Sequence, residues 1–577
     1  MPRRIYAYTG PGQVYRTKDY LLEARSPLVA VDFPPVVGAW FLCHMPRSMK
    51  SFALINSQII IALSLLVTIG RAEPLRPNII VFMVDDYDKP EISAYGGKVL
   101  TPNLDRLARE GMLFHNAHVT STVCTPSRYT FLTGRYAGSS HSNVYLRECP
   151  KGQQGLPAFN VGLEEDNMNV GRVLADAGYA TGFVGKYHVH DADHETGNAG
   201  LYPIEKKAKY SDELNRRFFE NEKRQRDMIR KRGFTWARNI YWSNTKAPFK
   251  GHNPEWTIRA ALEFVEEHRH RPFYLHYCTT LLHGPNGEWN RSLQEKELVT
   301  GEGFIGKPVG LVNRKSVLNR IKNAGLTENE VGYLWMDDTL GLLLDRLDAL
   351  GIAENTIVVF VSDHGSNKKG SLFKSRGTEI PCLIRWPRVI KAGVESNELI
   401  QNTDFAPTWF DVADADLPEG YHMDGVSLLP VLKDPAQSVR DHVYGEQGPA
   451  RSIKTKDWNY ISLRYTTEQI EASMGPRGDR YAKRLLGLSG GISRARTEHP
   501  GAFDTDQLYY LASDPGEIKN LADNPKQKER LDRMKATLRE VLEQFPGRPY
   551  GEFVEGGNAL PAASSEPVLK KLRQTDR

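Results

Sequence analysis

The chain has 577 residues, a formal charge of +5 at neutral pH, two-fifths hydrophobic residues and one quarter charged residues. That length accommodates one large domain and a smaller one with ample core, and the composition is that of an ordinary globular protein. So small a positive excess gives no footing for nucleic acid and leaves an anionic substrate open.

The start of the chain reads as an address. From Met45 or Met49, Arg47 and Lys50 supply a positive segment and IIIALSLLVTI (59–69) an apolar centre. GRA (70–72) follows as an imperfect small-residue cleavage site, leaving Glu73 as the mature start. The apolar run is short for a membrane span, so export to the periplasm or the medium is expected. Residues 1–72 are then an N-terminal extension with its signal at about 45–72, and 1–44 have no role in such a signal. Cys124, Cys149, Cys278 and Cys382 remain after cleavage, too few for a disulfide framework and without C-x-x-C spacing.

Beyond residue 75, apolar runs of strand length alternate with helical patterns. NIIVFMV (78–84), ATGFVG (180–185), PFYLHYC (272–278), TIVVFVS (356–362) and CLIRW (382–386) have the unbroken character of strands buried on both faces. TPNLDRLAREG (101–111), NVGRVLADAG (169–178), WTIRAALEFVEEH (256–268) and TENEVGYLWMDDTLGLLLDRLDALG (327–351) read as helices. In the last of these Leu340, Leu343, Leu344 and Leu347 keep helical spacing, and Gly351 provides the stop. This alternation predicts an α/β fold, a large and mostly parallel sheet sandwiched by helices.

The catalytic unit is expected over 75–434 and a smaller α+β subdomain over 435–550. Strands are predicted in RSIKTKDWNYISLRY (451–465) and DQLYYLASDP (506–515), and an amphipathic helix in KQKERLDRMKATLREVLEQF (526–545). The Gly/Ala/Ser/Pro-rich stretch 551–577 reads as a flexible tail. The basic segment 205–233 reads as a solvated helix face.

The residues just past each strand carry the chemistry. Asp85 and Asp86 follow the first run, Lys186 and His188 the second, His283 the third, and Asp363 and His364 the fourth. Ligands of open α/β sheets bind outside the carboxyl ends of the strands, so these groups are expected to share one cleft. Asp85, Asp86, Asp363 and His364 make a donor set for a divalent cation. Carboxylates suit a hard ion such as Ca2+, while an imidazole leans toward Mn2+ or another transition metal. Three converging acids would also repel one another unless a cation stood among them.

TSTVCTPSRYTFLTGRY (120–136) sets Cys124 in polar surroundings unlike those of a buried structural thiol. Pro126 favours an extended Thr125 and suits the first turn of a helix. Cys124 would then lie at a helix N-terminus, where the dipole and Arg128 both stabilise negative charge. The expectation is an anion site that contains a reactive side chain.

CTPSRYTFLTGR, from Cys124 to Arg135, is a C-x-P-S-R element continuing to Thr-Gly-Arg. With NIIVFMVDD, TPNLDRLAREGMLFHNAH, GFVGKYH, VVFVSDHG, TDFAPTWFDVAD, DGVSLLPVL and LYYLASDPGEIKNLAD, it resembles the type I sulfatases of the alkaline-phosphatase superfamily over residues 77–525. The resemblance implies an alkaline-phosphatase-like fold and hydrolysis of sulfate esters, on a sulfated carbohydrate if exported relatives are a guide. It implies that a formylglycine-generating enzyme oxidises Cys124 to formylglycine before the chain folds, and that the hydrated aldehyde supplies the nucleophile.

By the same likeness Asp85, Asp86, Asp363, His364 and modified Cys124 bind one divalent metal, with Ca2+ foremost. Arg128 and Lys186 hold the diol and sulfate oxygens, and His188 acts as base when the aldehyde re-forms. His283 binds sulfate and, with a lysine, protonates the leaving oxygen. Relatives often read Lys-Gly-Thr-Leu-Tyr-Glu-Gly-Gly-x-Arg-Val-Pro where this chain has NKKGSLFKSRGTEIPCLIRWP. Lys369 is therefore the expected lysine and Lys374 its alternative. Many members also carry Asn where His364 stands, and the Asp-His pair occurs in phosphonate and phosphodiester hydrolases. Such a hydrolase is the alternative activity, and a non-catalytic binder of sulfated glycans is the alternative for an unmodified chain. Nucleic acid is not an expected partner, and no residue pattern fixes the sugar, the sulfate position or the oligomeric state.

Overall fold

A computed structural model describes residues 76–190, 201–205, 207–244, 249–296, 298–307, 309–469, 499–502 and 504–564. All of them belong to one compact unit, Leu75–Arg577. The signal-peptide reading and residues 565–577 of the tail lie outside the described residues.

The strands, in chain order, are β1 (Asn78–Val84), β2 (Met112–His118), β3 (Ala180–Lys186), β4 (Trp236–Tyr241), β5 (Phe273–Cys278), β6 (Val299–Thr300) and β7 (Gly303–Phe304). They continue with β8 (Thr356–Ser362), β9 (Cys382–Arg385), β10 (Val394–Gln401), β11 (Val443–Gln447), β12 (Ala450–Lys454), β13 (Trp458–Leu463) and β14 (Asp506–Tyr510). The main helices are α1 (Pro102–Glu110), α2 (Cys124–Thr133), α3 (Val170–Asp176), α4 (Asp212–Lys231) and α5 (Pro254–His268). Next come α6 (Asn286–Gln294), α7 (Val331–Ala349), α8 (Phe405–Ala413) and α9 (Lys528–Leu542).

Eight strands form one sheet in the order β10-β2-β9-β8-β1-β5-β3-β4. Every pair in it is parallel except those made by β9, which runs against both β8 and β2. The run CLIRW is thus a strand of the opposite sense. A parallel return needs a crossover to the far end of the sheet. Residues 363–381 instead stay at the carboxyl edge, where Gly365 N donates to Gly377 O and Gly370 N to Thr122 O.

The sheet separates two cores, and β1 shows why. Ile79, Val81 and Met83 join one cluster with Tyr129 and Leu132 of α2, Val173 of α3 and Trp409 of α8. Ile80, Phe82 and Val84 join the other with Leu104 of α1, Phe264 of α5 and Leu340, Leu343, Leu344 and Leu347 of α7. Side chains alternate across a strand, so an unbroken apolar run is what a strand covered on both faces requires. Strands β2, β4 and β10 were not apparent as apolar runs. WARNIY and VESNELIQ form the two edges of the sheet, where one side lacks a strand neighbour and polar residues are tolerated.

The expected C-terminal sheet is antiparallel, β11-β12-β13-β14, and RSIKTKDWNYISLRY supplies two of its strands. Tyr444, Ile453, Tyr460 and Leu508 of this sheet bury Met534, Leu538, Val541 and Leu542 of α9. The described part of the stretch from 551, read as a flexible tail, is anchored at several points, with residues 555–557 exposed between them. Glu552 pairs with buried Arg464 at 2.5 Å, Phe553 is buried, and Ala559 bridges to Thr466. A composition rich in small residues did not disclose those three anchors.

Candidate active site

Strands β8, β1, β5 and β3 are consecutive neighbours and mutually parallel, so their carboxyl ends lie side by side. Backbone bonds tie those ends together. Asp363 N donates to Val84 O at 3.0 Å, Asp85 N to Leu281 O at 2.8 Å and Leu282 N to Asp85 O at 2.6 Å. Lys186 is placed by Gly185, whose φ is +88° and whose added Cβ would fall 1.8 Å from Cys278 O. Only glycine fits there.

Cys124 is the first residue of α2, preceded by Val123 in an extended conformation as the N-cap, and it is 2 % exposed. Its Sγ lies 3.3 Å from His364 Nε2, 3.5 Å from Lys186 Nζ, 3.7 Å from Asp85 Oδ1 and 3.8 Å from Lys369 Nζ. The helix is anchored from below. Ser127 Oγ donates to Asp363 O at 2.5 Å, and Arg128 Nε and Nη2 donate to Asp363 Oδ2 at 3.0 and 2.8 Å. Arg128 Nη1 reaches Lys186 O at 3.0 Å. The strap 368–371 crosses the N-terminal end of α2, where Thr122 Oγ1 donates to Ser371 O at 2.7 Å and accepts from Gly370 N at 3.0 Å.

Ligand atoms of Asp85, Asp86, Cys124 and His364 all lie within 4.8 Å of one another. Asp363, expected as a fifth ligand, borders this group at 3.7 Å from His364 Nε2. Its Oδ1 accepts from Asp86 N at 3.1 Å and its Oδ2 is held by Arg128. The Nδ1 of His364 lies 2.9 Å from Gly365 O; a proton there leaves Nε2 facing residue 124. Two oxygens, a sulfur and an imidazole nitrogen in such proximity fit a divalent cation.

The charge argument for a metal needs correction. Asp85, Asp86 and Asp363 are each already paired, with Lys186 at 2.5 Å, Lys369 at 2.9 Å and Arg128 at 2.8 Å. Three protein cations match three acids, so the support for a metal is the donor geometry. An added divalent ion would leave a positive excess, which suits an anionic ester.

These charges set the ionisation states. Burial alone would raise the Asp85 carboxyl, yet Lys186, His283, Arg128 and Lys369 together hold it well below the usual carboxylate range. Asp86 is likewise lowered against its burial by Lys369 and His364. Burial opposes a charged His364, but Asp363 and Cys124 lift it to about 9. Burial depresses His283 more than Asp85 and Asp86 raise it.

The remaining expected residues divide. Lys369 Nζ is 2.9 Å from Asp86 Oδ1, whereas Lys374 Nζ is 3.3 Å from Asn116 Oδ1 and 3.5 Å from Glu379 Oε1, away from the thiol. His283 Nε2 stands 3.8 Å from Asp86 Oδ2. His188 has φ +55°; its backbone N donates to Trp242 O at 3.0 Å and its ring centroid is 5.9 Å from that of Phe159. Among the described residues, the side chains in contact with the thiol are those of Asp85, Lys186, His364 and Lys369. Asn244 was missed: its Nδ2 donates to Asp85 Oδ2 at 3.2 Å. It follows β4, the next strand outward, so the strand-end rule would have found it had WARNIY been read as a strand. Thr122 and Ser127 were also missed, because their role is to position α2.

Comparison with known proteins agrees with this architecture. The Sulfatase family profile matches residues 77–415, and the C-terminal profile of N-sulphoglucosamine sulphohydrolase matches 363–471. An ulvan-active sulfatase of Formosa agariphila is 27% identical, over 78% of this chain and 76% of its own length. An N-acetylglucosamine-6-O-sulfatase of Bacteroides thetaiotaomicron is 25% identical, over 78% and 89% respectively. A putative sulfatase from Bacteroides fragilis superposes with a TM-score of 0.56 at 19% identity, covering 84% of this chain and 99% of that one. A protein solved with its substrate D-glucosamine-2-N,6-O-disulfate superposes at 0.53 and 19% identity, over 82% and 99%. The chain belongs to the sulfatase family: it is a type I sulfatase with the alkaline-phosphatase-like fold, a sulfuric ester hydrolase.

Proposed function

We propose that this enzyme removes sulfate from a sulfated carbohydrate, with Cys124 matured to formylglycine and one divalent ion, foremost Ca2+, held by Asp85, Asp86, residue 124, His364 and Asp363. The observation that carries the reading is the position of Cys124, on the first turn of α2 and within 3.8 Å of the Asp85–Lys186 pair, Lys369 and the His364 imidazole. The Cys124 Sγ stands in for the oxygens of the hydrated aldehyde. When bound, the cation lowers the pKa of the attacking hydroxyl and steadies the sulfate oxygens.

The chain's own groups do the rest. One hydroxyl of hydrated residue 124 loses its proton to a neighbouring carboxylate and its oxygen bonds to sulfur. The ester S–O bond breaks, and the departing alcohol oxygen takes a proton from His283 or Lys369. Lys186 holds the equatorial oxygens as charge spreads over them, and Arg128, bonded to Asp363 and to Lys186 O, keeps residue 124 and Lys186 in place. The second hydroxyl then gives its proton to His188, the C–O bond to sulfate breaks and the aldehyde returns. A serine at 124 would stop at the sulfated enzyme, having no second hydroxyl.

A carbohydrate substrate is supported by the glycan-directed activities named for the relatives. The maturation partner is a formylglycine-generating enzyme that reads Cys124–Arg128, and the segment 45–72 directs export. The test is a desulfation screen with matured enzyme over sulfated monosaccharides and tetrasaccharides of the ulvan, carrageenan and glycosaminoglycan types, beside 4-nitrophenyl sulfate. Turnover of no sulfated saccharide, with aryl sulfate cleaved, would overturn the carbohydrate assignment.

A further inference from the structure

A cavity of about 300 Å³ is lined by Phe249, Lys250, Asn253, Arg291, Ser292 and Phe304 among others. Its wall comes from two connecting segments, the approach to α5 and the stretch from α6 through the β6–β7 hairpin. Short contacts join that wall to the catalytic groups. His252 N donates to Ser292 Oγ at 3.0 Å, and His252 Nδ1 lies 3.0 Å from Thr280 Oγ1. His283 N donates to Thr280 O at 3.2 Å, and His283 Nε2 is 3.8 Å from Asp86. His252 and Thr280 thus stand between the cavity and His283, which puts the cavity on the His283 side of the centre.

The lining has the mixed character of a sugar site. Phe304 packs edge-on to Tyr210, with centroids 4.3 Å apart, and Phe249 stands 6.0 Å from Phe304. These rings offer apolar surface for the C–H face of a pyranose. Ser292, Asn253 and Arg291 bring hydroxyl, amide and guanidinium groups suited to ring hydroxyls. The charges do not favour a second sulfate. Arg291 and Lys250 lie 2.5 and 3.7 Å from Glu288, and Glu295 adds a further acid to the lining. The volume lies at the lower end of small-molecule sites, about 300–1,000 Å³.

We propose that this cavity is a subsite for an unsulfated pyranose ring adjoining the sulfated sugar at the centre. The inference rests on the reading of that centre as a carbohydrate sulfatase site. It makes the enzyme selective for chains over monosaccharides, and it places that selectivity in Phe304 and Arg291.

Two measurements test it. The first is kcat/KM of wild type, Phe304→Ala and Arg291→Gln on the sulfated tetrasaccharides and on 4-nitrophenyl sulfate. The expected result is that the ratio of tetrasaccharide to aryl sulfate falls about tenfold in each variant, the size of one well-placed contact. The second is calorimetric binding of chemically desulfated tetrasaccharides from the same panel to wild type and the variants, with thermal melting as the check on folding. At least one should bind wild type, and each folded variant should weaken that binding about tenfold. Unchanged ratios in folded variants, or wild type that binds no desulfated tetrasaccharide, would overturn the subsite. Failure of the carbohydrate reading looks different, as no sulfated saccharide would then turn over while aryl sulfate was cleaved, and the calorimetry would still report on the cavity.

Discussion

Lys369 Nζ bridges both carboxylate oxygens of Asp86, at 2.9 and 3.1 Å, and stands 3.8 Å from Cys124 Sγ. The alternative lysine, Lys374, points to Asn116 and Glu379. Lys369→Ala should lower kcat on sulfate esters by about 100-fold, the usual loss when one charged donor leaves a preorganised site. Lys374→Ala should stay within a few-fold of wild type. Steady-state kinetics on one sulfate ester decides it, and comparable losses in both variants would mean that the strap is read wrongly.

Residue 124 sets the second expectation. Protein made together with the formylglycine-generating enzyme should carry the aldehyde or its hydrate at residue 124, seen in the mass of the peptide. Cys124→Ala should melt within a few degrees of wild type, because the thiol adds little to either core, and should turn over nothing. Full activity in the alanine variant would refute the nucleophile.

Metal removal is the third. Asp85→Asn deletes a charged oxygen ligand and leaves Lys186 without its 2.5 Å partner. Bound metal measured by elemental analysis should drop with turnover, and chelation of wild type should do the same, reversed by Ca2+ or another divalent ion. Metal-free wild type that keeps its rate would dissolve the grouping of Asp85, Asp86, residue 124 and His364.

The fourth concerns His364, whose Nε2 faces Cys124 Sγ and whose side chain is wholly buried. A sulfate monoester and a phosphate diester each carry one negative charge, so the same cations receive either. Discrimination comes from room for a second ester substituent, which an imidazole that would serve as a metal ligand does not shape. His364→Asn should weaken metal binding or change metal preference while sulfate monoesters stay the better substrates. A wild-type enzyme with higher kcat/KM on a phosphate diester than on every sulfate ester tried would reverse the order.

A fifth expectation is independent of catalysis. Glu222 of α4 is buried beside Arg226, and burial pushes it up to about 7 despite that partner. A carboxyl with a raised folded pKa favours folding fully below its unfolded value, near 4.3. That contribution is lost as pH rises through about 7. Glu222→Gln should therefore gain stability relative to wild type between pH 5 and pH 8, by on the order of 3 kcal/mol across the window, read as a melting-temperature difference that grows with pH. A difference independent of pH would show that Glu222 is charged throughout.

The centre was legible because it is built from strand ends. Buried parallel strands must be apolar throughout, so the residue at which the run stops marks the carboxyl edge, and Asp85, Lys186, His283 and Asp363 were all found that way. Residues whose work is to hold others carry no such mark. Ser127 and Thr122 look like any small polar residues, and only their bonds to Asp363 and Ser371 reveal them. Asn244 stayed hidden because β4 is an edge strand with an interrupted pattern. The reversed sense of β9 was also out of reach, since an apolar pentapeptide does not encode its direction. The ion pairs of the three acids were underestimated for a related reason, as Arg128, Lys186 and Lys369 are far apart in sequence and meet only when the sheet forms.

Cys124 is almost sealed, at 2 % exposed, on a helical turn riveted to Asp363 through Ser127 and Arg128. An enzyme that must grip Cys124–Arg128 as an extended peptide cannot do so without breaking those bonds. On the proposed maturation, oxidation and folding are therefore competitors in a race that each chain runs once. A chain that folds first keeps its thiol and stays inert, with a melting curve close to that of an active molecule. Specific activity then varies between preparations as the fraction converted in the producing cell. Treating the purified protein with the maturation enzyme should recover nothing until the chain is unfolded.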